Sequence, residues 1–364
     1  MKVHILTWYK ELNHGAVLQA YASQEYIKGL GYAVDILDYT REKKLNLSKR
    51  KVFAYRVKRL LTGDYRYRTI YREFIKEKRS LFSNFIKNKL ELGKCYNSKN
   101  YKCVMIGSDM VFNIIEGYYP YMFGKGIDAD YLFSYAACSG GTSIKLIEKL
   151  GVKEEVKDSL KNFDKIGCRD KSTENFVRTL TKRDDTFDNI DPVLLYGFEN
   201  EKSDWNSGTW KKHKPYIIIY AYHGNLNSRK EIREIKKIAL ENNLDIISCG
   251  NFHHWCDENI NASPEQFLEM IYESQMVVTD TFHGTVFSLI CKKNFCSIVR
   301  SNAFKLQYLL ECAHLEDRIP QKTGDIYNIL KRDVDYDKFY NWLKIKRKES
   351  DNYIKLCLNE ATCN

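Results

Sequence analysis

The 364-residue chain has no run of about 18 apolar residues, so nothing in it reads as a membrane-spanning helix. It has no low-complexity segment and no C-x-x-C pair. The N-terminus carries a single Lys2 before the short apolar stretch Val3-His4-Ile5-Leu6, which runs on into a polar loop; that reads as a buried strand, not a secretory leader. The eleven cysteines are an odd total, and Cys103, Cys138, Cys249, Cys291 and Cys296 sit in or beside apolar runs, where cysteine behaves as a small hydrophobe. This pattern argues against a disulfide framework and for a reducing, cytoplasmic setting. Cys249, His253, His254 and Cys256 are close in sequence, but C-x3-H-H-x-C is not a common structural zinc spacing and no second half completes it.

What is present is a globular composition, 44% hydrophobic, long enough for two domains. Net charge is +11, concentrated between Arg41 and Lys102, where aromatics such as Tyr55, Tyr65, Tyr67, Tyr71, Phe74 and Phe82 are interleaved. A solvated helical face, contact with an anionic membrane surface or lipid-linked substrate, and nucleic-acid binding are the readings open to such a stretch. No nucleic-acid motif supports the last.

Apolar runs alternate with helical patterns along the whole chain. Residues 1–40 read as strand, loop, helix, strand, and residues 41–92 as helices. Tyr101–Ile106, Tyr131–Ala137 and Lys165–Cys168 read as strands, with 144–162 helical between the last two. A polar stretch at 198–214 marks the boundary. Beyond it the pattern restarts with strand Tyr216–Tyr222, helix 228–242, strand Leu244–Ser248, helix 264–274, strand Met276–Thr279, helix 284–291 and strand Phe295–Val299. Alternation of this kind means crossover connections and mostly parallel sheets. The expected fold is α/β, with two Rossmann-like domains facing across a cleft. Residues 1–197 form the first, with a basic helical insertion at about 41–92. Residues 198–214 link it to a second domain at 215–330, and helices at 331–364 return to the first. Ligands of such sheets sit outside the carboxyl ends of the strands.

Several motifs fall at those ends. Asn13-His14-Gly15-Ala16-Val17-Leu18-Gln19 places a glycine where a loop turns into a helix, with backbone amides able to hold an anion or a sugar. Gly107-Ser108-Asp109 follows a strand, with Asn113 shortly after. Arg169 ends another strand. Asp280-Thr281-Phe282-His283-Gly284-Thr285 joins a carboxylate, an imidazole and a helix start at one strand end, where histidine is a natural proton shuttle.

These stretches resemble the polysaccharide pyruvyl transferase family. Asn13 to Ala22 is similar to its "N-[YF]-G-A-x-L-Q-A-Y-A", Gly107 to Asn113 to "G-S-D-Q-[VI]-W-N" and Ile166 to Ser172 to "I-[SG]-x-R-[ED]-x-x-[ST]". Asp191 to Leu195 is similar to "D-P-[TV]-L-L", which reads as an interdomain turn, and Thr279 to Gly284 to "[ST]-D-[SR]-[FL]-H-G". The segment from Asn302 to Arg318 resembles a later helix motif. Thr281 and Phe282 stand where many members have Arg and Leu, which removes a fork-shaped partner for phosphate or carboxylate. Lys305 or Arg300 is placed to replace part of that charge.

The resemblance implies a GT-B-like fold and transfer of pyruvate from phosphoenolpyruvate to a sugar of a surface polysaccharide or its lipid-linked precursor, forming a ketal. It implies no metal or redox cofactor. The basic stretch 41–102 adds an expected peripheral contact with the inner face of the cell membrane for an otherwise cytoplasmic protein, with no nucleic-acid partner. His283, Asp280 and Asp109 are the expected catalytic residues. Asn13, His14, Gly15, Gln19, Ser108, Asn113, Arg169, Thr281, Gly284, Thr285 and Lys305 are expected to bind substrate. A sugar-nucleotide glycosyltransferase on the same plan and a non-catalytic assembly partner are the alternatives.

Overall fold

The computed structural model describes residues 1–40, 68–115, 117–202, 214–300, 303–322 and 325–363. Residues 41–67 of the basic stretch that begins at Arg41, and 203–213 of the polar stretch, lie outside these.

Among the described residues twelve strands form two sheets, and every neighbouring pair of strands is parallel. The first holds β1 (Lys2–Leu6), β2 (Ala33–Asp38), β3 (Leu92–Cys95), β4 (Tyr101–Ile106), β5 (Ala129–Ala137), β6 (Lys165–Cys168) and β7 (Thr186–Asp188), in the order β3-β2-β1-β4-β5-β6-β7. The second holds β8 (Tyr216–Tyr220), β9 (Asp245–Cys249), β10 (Glu258–Ile260), β11 (Met276–Thr279) and β12 (Asn294–Ser297), in the order β10-β9-β8-β11-β12. The central strands are apolar because helices cover both faces; all five residues of β8 are buried.

Three short strands depart from the reading of the sequence. β3 lies at the end of a stretch read as helical, and β7 and β10 have only three residues each, too few for a periodic signal. The stretch read as one helix at 144–162 is two, Ile144–Lys149 and Lys153–Lys161. Gly151 separates them at φ +69°, a left-handed conformation that glycine adopts without strain.

Each sheet has one point where the order of strands reverses. In the first it lies between β1 and β4, in the second between β8 and β11. The helix His14–Gly29 leaves the first reversal and the helix Phe282–Ile290 leaves the second, and the two meet at their N-termini. A single apolar core runs through this seam: Leu18 and Phe82 from the first half pack in one cluster with Phe267 and Phe287 from the second. The long helix Asp337–Cys363 lies on the first sheet. Tyr353 Oη donates to Ser134 O at 2.7 Å, and Tyr131 Oη donates to Glu360 at 2.7 Å.

Candidate active site

Five charged or titratable side chains from three loops and two helices converge in the seam. Arg169 follows β6, and its guanidinium bridges two carboxylates. Nη1 donates to Asp191 Oδ2 at 2.7 Å and Nη2 to Asp109 Oδ1 at 2.7 Å. Asp109 follows β4. Asp191 caps the short helix Pro192–Tyr196, accepting from Val193 N at 3.0 Å. From the second half, Lys305 Nζ donates to the same Asp109 oxygen at 2.9 Å. His283 stands between the acids, with Nε2 3.4 Å from Asp191 Oδ2 and Nδ1 4.0 Å from Asp109 Oδ2.

Phe282 forms a wall beside the cations. The Arg169 guanidinium carbon is 4.3 Å and Lys305 Nζ 5.3 Å from its ring centre. A narrow cleft opens to solvent against Arg169, Asp191, Lys305, Phe282, Tyr308 and Trp342.

The electrostatics follow from this packing. Burial alone would raise the Asp109 carboxyl, but Lys305, Arg169 and His283 hold it well below the ordinary range. Burial likewise opposes ionisation of Asp191, and His283 and Arg169 reverse that, leaving it lowered. Both acids are therefore carboxylates at neutral pH, matched against two fixed cations. Their exposure differs: Asp191 is 1% exposed and Asp109 19%. Asp191 nonetheless borders the cleft, whereas Asp109 and His283 lie behind Arg169 and Lys305.

Asp109, Arg169, His283 and Lys305, all singled out in the sequence, thus come together, and Gly15 lies directly against His283. A Cβ built on Gly15 would fall 2.3 Å from the His283 ring, so only glycine allows this approach. Arg300, the other candidate replacement cation, pairs instead with Glu231.

The other candidates have local partners. Asn13 Oδ1 caps its helix, accepting from Gly15 N at 2.8 Å and Ala16 N at 3.3 Å. Thr281 caps the helix of His283 through Gly284 N at 2.9 Å, and Gly284 is pressed against Thr279. Gln19 donates to Thr7 Oγ1 at 2.7 Å and accepts from Ser108 N at 3.3 Å, tying the loops after β1 and β4 together. Asn113 Nδ2 donates to Ser139 O and Gly140 O, and Thr285 Oγ1 lies 2.6 Å from Ser297 Oγ. His14 is buried in the seam, with Nε2 3.0 Å from Ala262 O of the second half. Asp280 turns to the loop after β8, accepting from Tyr222 N at 3.0 Å and from the Asn225 amide. Burial raises its carboxyl, against the pull of those two donors.

Asp191 is the residue the sequence reading passed over. Its Asp-Pro pair was read as turn chemistry. The pair does start a helix, but the same carboxylate also faces Arg169 and His283.

Two all-parallel sheets meeting at their reversal points, with a charge cluster in the seam, make this a GT-B-like α/β fold. Solved structures agree. UDP-GlcNAc 2-epimerase from Neisseria meningitidis, bound to UDP-GlcNAc, is similar with a TM-score of 0.50 at 10% identity, covering 99% of this chain and 100% of that one. S. aureus MnaA, solved with UDP, gives 0.51 at 11%, covering 98% and 97%. UDP-GlcNAc 2-epimerase from Methanocaldococcus jannaschii gives 0.51 at 10%, covering 99% and 100%. At such identities these likenesses speak to the fold alone. No curated protein matches the sequence. The polysaccharide pyruvyl transferase family model matches residues 13–302, and the chain belongs to that family. It is an enzyme of that type, a transferase that modifies polysaccharide.

Proposed function

We propose that the donor is phosphoenolpyruvate and that the product is a pyruvate ketal on a saccharide. The observation that carries this reading is the convergence of Arg169 and Lys305, which both line the cleft, on one carboxylate beside His283. A donor with phosphate and carboxylate groups offers those cations stronger partners and releases Asp109 from them. Lys305 supplies the charge that Thr281 does not.

The chemistry then divides among the released groups. His283 protonates the donor methylene carbon, and C2 becomes an oxocarbenium-like centre. A sugar hydroxyl attacks C2 and gives its proton to Asp109. The C2–O bond to phosphate breaks and inorganic phosphate leaves. A neighbouring hydroxyl closes the ketal, and its proton passes to solvent or phosphate. Asp191, 3.4 Å from Nε2, orients the imidazole.

A sugar-nucleotide donor is the second reading, favoured by the replacement of the usual arginine by Thr281 and by the UDP-bound proteins of the same fold. Thermal stabilisation distinguishes them, because a ligand that binds only the folded chain raises apparent stability. Phosphoenolpyruvate is expected to raise the melting temperature of the wild type and not of Arg169→Ala. Stabilisation by UDP-GlcNAc alone would favour the second reading, and by neither, a non-catalytic assembly role.

The acceptor, on this reading, is reached at the inner face of the cell membrane. The helix Arg68–Lys89 exposes Arg72, Lys76, Arg79 and Lys87, a surface that suits anionic headgroups. Among the described residues no helix is long and apolar enough to cross a membrane. Co-sedimentation with anionic vesicles that falls as salt rises is the expected result, and binding indifferent to both lipid charge and salt would count against it.

A further inference from the structure

The seam contains two glycine–histidine contacts that cross it in opposite directions. Gly15 of the first half receives the ring of His283 from the second. Gly250 of the second half, at φ +74°, receives the ring of His14 from the first, and a Cβ there would lie 2.6 Å from His14 Cε1. His14 and Gly15 are consecutive residues in the first turn of one capped helix, so the two contacts share one rigid base.

His14 is fully buried and held on several sides. Its Nε2–H donates to Ala262 O at 3.0 Å. Its ring stacks on Phe267, centre to centre 4.4 Å at 23°, and meets Phe82 edge-on at 4.8 Å. Lys78 Nζ, also from the first half, donates to Gly250 O at 2.6 Å and closes the socket. Phe267 meets Phe287 edge-on at 5.2 Å, and Phe287 lies on the helix that carries His283, 6.2 Å from its ring. A continuous row of rings therefore joins His14 to His283 through the second half, while Gly15 meets His283 directly from the first.

We propose that His14 is a positioning residue: seated in the Gly250–Ala262–Phe267 socket, it fixes the register of the two halves so that His283 lies against Gly15 beside Asp109 and Asp191. This rests on the role given to His283 in the proposed reaction. It assigns His14 no contact with substrate. The function is geometric, because a reacting group displaced by about 1 Å can lose on the order of 100-fold in rate.

The test uses the full chain, with His14→Ala to empty the socket, His14→Phe to keep a stacked ring without the bond to Ala262, and Gly15→Ala to push His283 aside. Two readouts are taken on each. The first is phosphate release from phosphoenolpyruvate with a saccharide acceptor: His14→Ala is expected to lower kcat roughly 10- to 100-fold with KM for the donor little changed, and His14→Phe to recover most of that loss. The second needs no activity: the rate at which diethylpyrocarbonate modifies His283, followed by peptide mapping. Modification is expected to be slow in the wild type and His14→Phe, and several-fold faster in His14→Ala and Gly15→Ala. If His14→Ala does not fold, His14→Leu, similar in bulk but without a ring, takes its place against His14→Phe. Equal modification rates in all folded variants, with unchanged kcat, would overturn the proposal. Absence of turnover in the wild type would instead count against the donor, leaving the modification rates to decide on His14.

Discussion

The two sheets present their reversal points to the same seam, yet use the polar groups there differently. At the end of β11, Asp280 is spent within its own half, bonded to Tyr222 N and Asn225, and burial raises its carboxyl. At the ends of β4 and β6, Asp109 and Arg169 reach beyond their own loops, and Asp109 takes a cation from the other half. Two aspartates at equivalent places in similar sheets thus do different work. One fastens a loop; the other is held as a carboxylate in a charge cluster built by both halves. A strand end makes a site available, but the partner across the seam decides whether it is used.

The contrast is broken most directly at His283. His283→Ala is expected to abolish measurable turnover, a loss on the order of 100- to 10,000-fold, with the fold intact by circular dichroism. His283→Asn keeps a hydrogen bond but cannot carry the proton, so binding without turnover identifies proton transfer and retained turnover identifies positioning.

Arg169→Ala is next in size. It leaves Asp191 buried without its guanidinium partner, and removal of one partner from a buried ion pair costs about 3–5 kcal/mol. Denaturant unfolding should show that loss, and titration with phosphoenolpyruvate should show donor affinity weakened by about 1.5–3 kcal/mol. Unchanged stability and affinity together would remove Arg169 from the centre of the cluster.

The seam itself carries a pH dependence. Burial, with the nearby Lys78 ammonium, lowers the His14 imidazole to about 3, while its bond to Ala262 O works the other way. A histidine that is neutral when folded and titrates near 6.5 when unfolded adds stability above pH 6.5, and that stability is lost as pH falls toward 3. Chemical unfolding across this window should become shallower in pH for His14→Phe than for the wild type. Lys78, itself lowered to about 8 by burial, is the charged group facing His14 and stays protonated throughout the window.

The smallest effect is expected at Asp280. Asp280→Asn keeps an acceptor for Tyr222 N and should cost about 1 kcal/mol of stability with turnover little changed. A loss of rate approaching that of His283→Ala would erase the distinction between the two sheet ends.

Local pattern made most of the fold legible. Apolar strands such as Tyr216–Tyr220 and Tyr101–Ile106, alternating with helices, pointed to parallel sheets, because parallel neighbours need a crossover and each intervening helix supplies one. Strands of three residues, such as β7 and β10, hold too little pattern to be read. Of the site, Asp109, Arg169 and His283 were visible because each follows an apolar run. Asp191 was hidden because an Asp-Pro pair is already explained as a helix start, and nothing local shows its second partner.

The sequence by itself thus determined two parallel sheets, the loops at their carboxyl ends, and the residue types available there, since periodicity and turn chemistry act over a few residues. Only the tertiary structure decided which of those residues meet. Lys305 rather than Arg300 reached Asp109, Asp280 was tied to its own loop, and consecutive His14 and Gly15 each received a partner from more than 200 positions away. Those choices depend on how the two halves seat against one another, a packing of buried surfaces that no local stretch of sequence encodes.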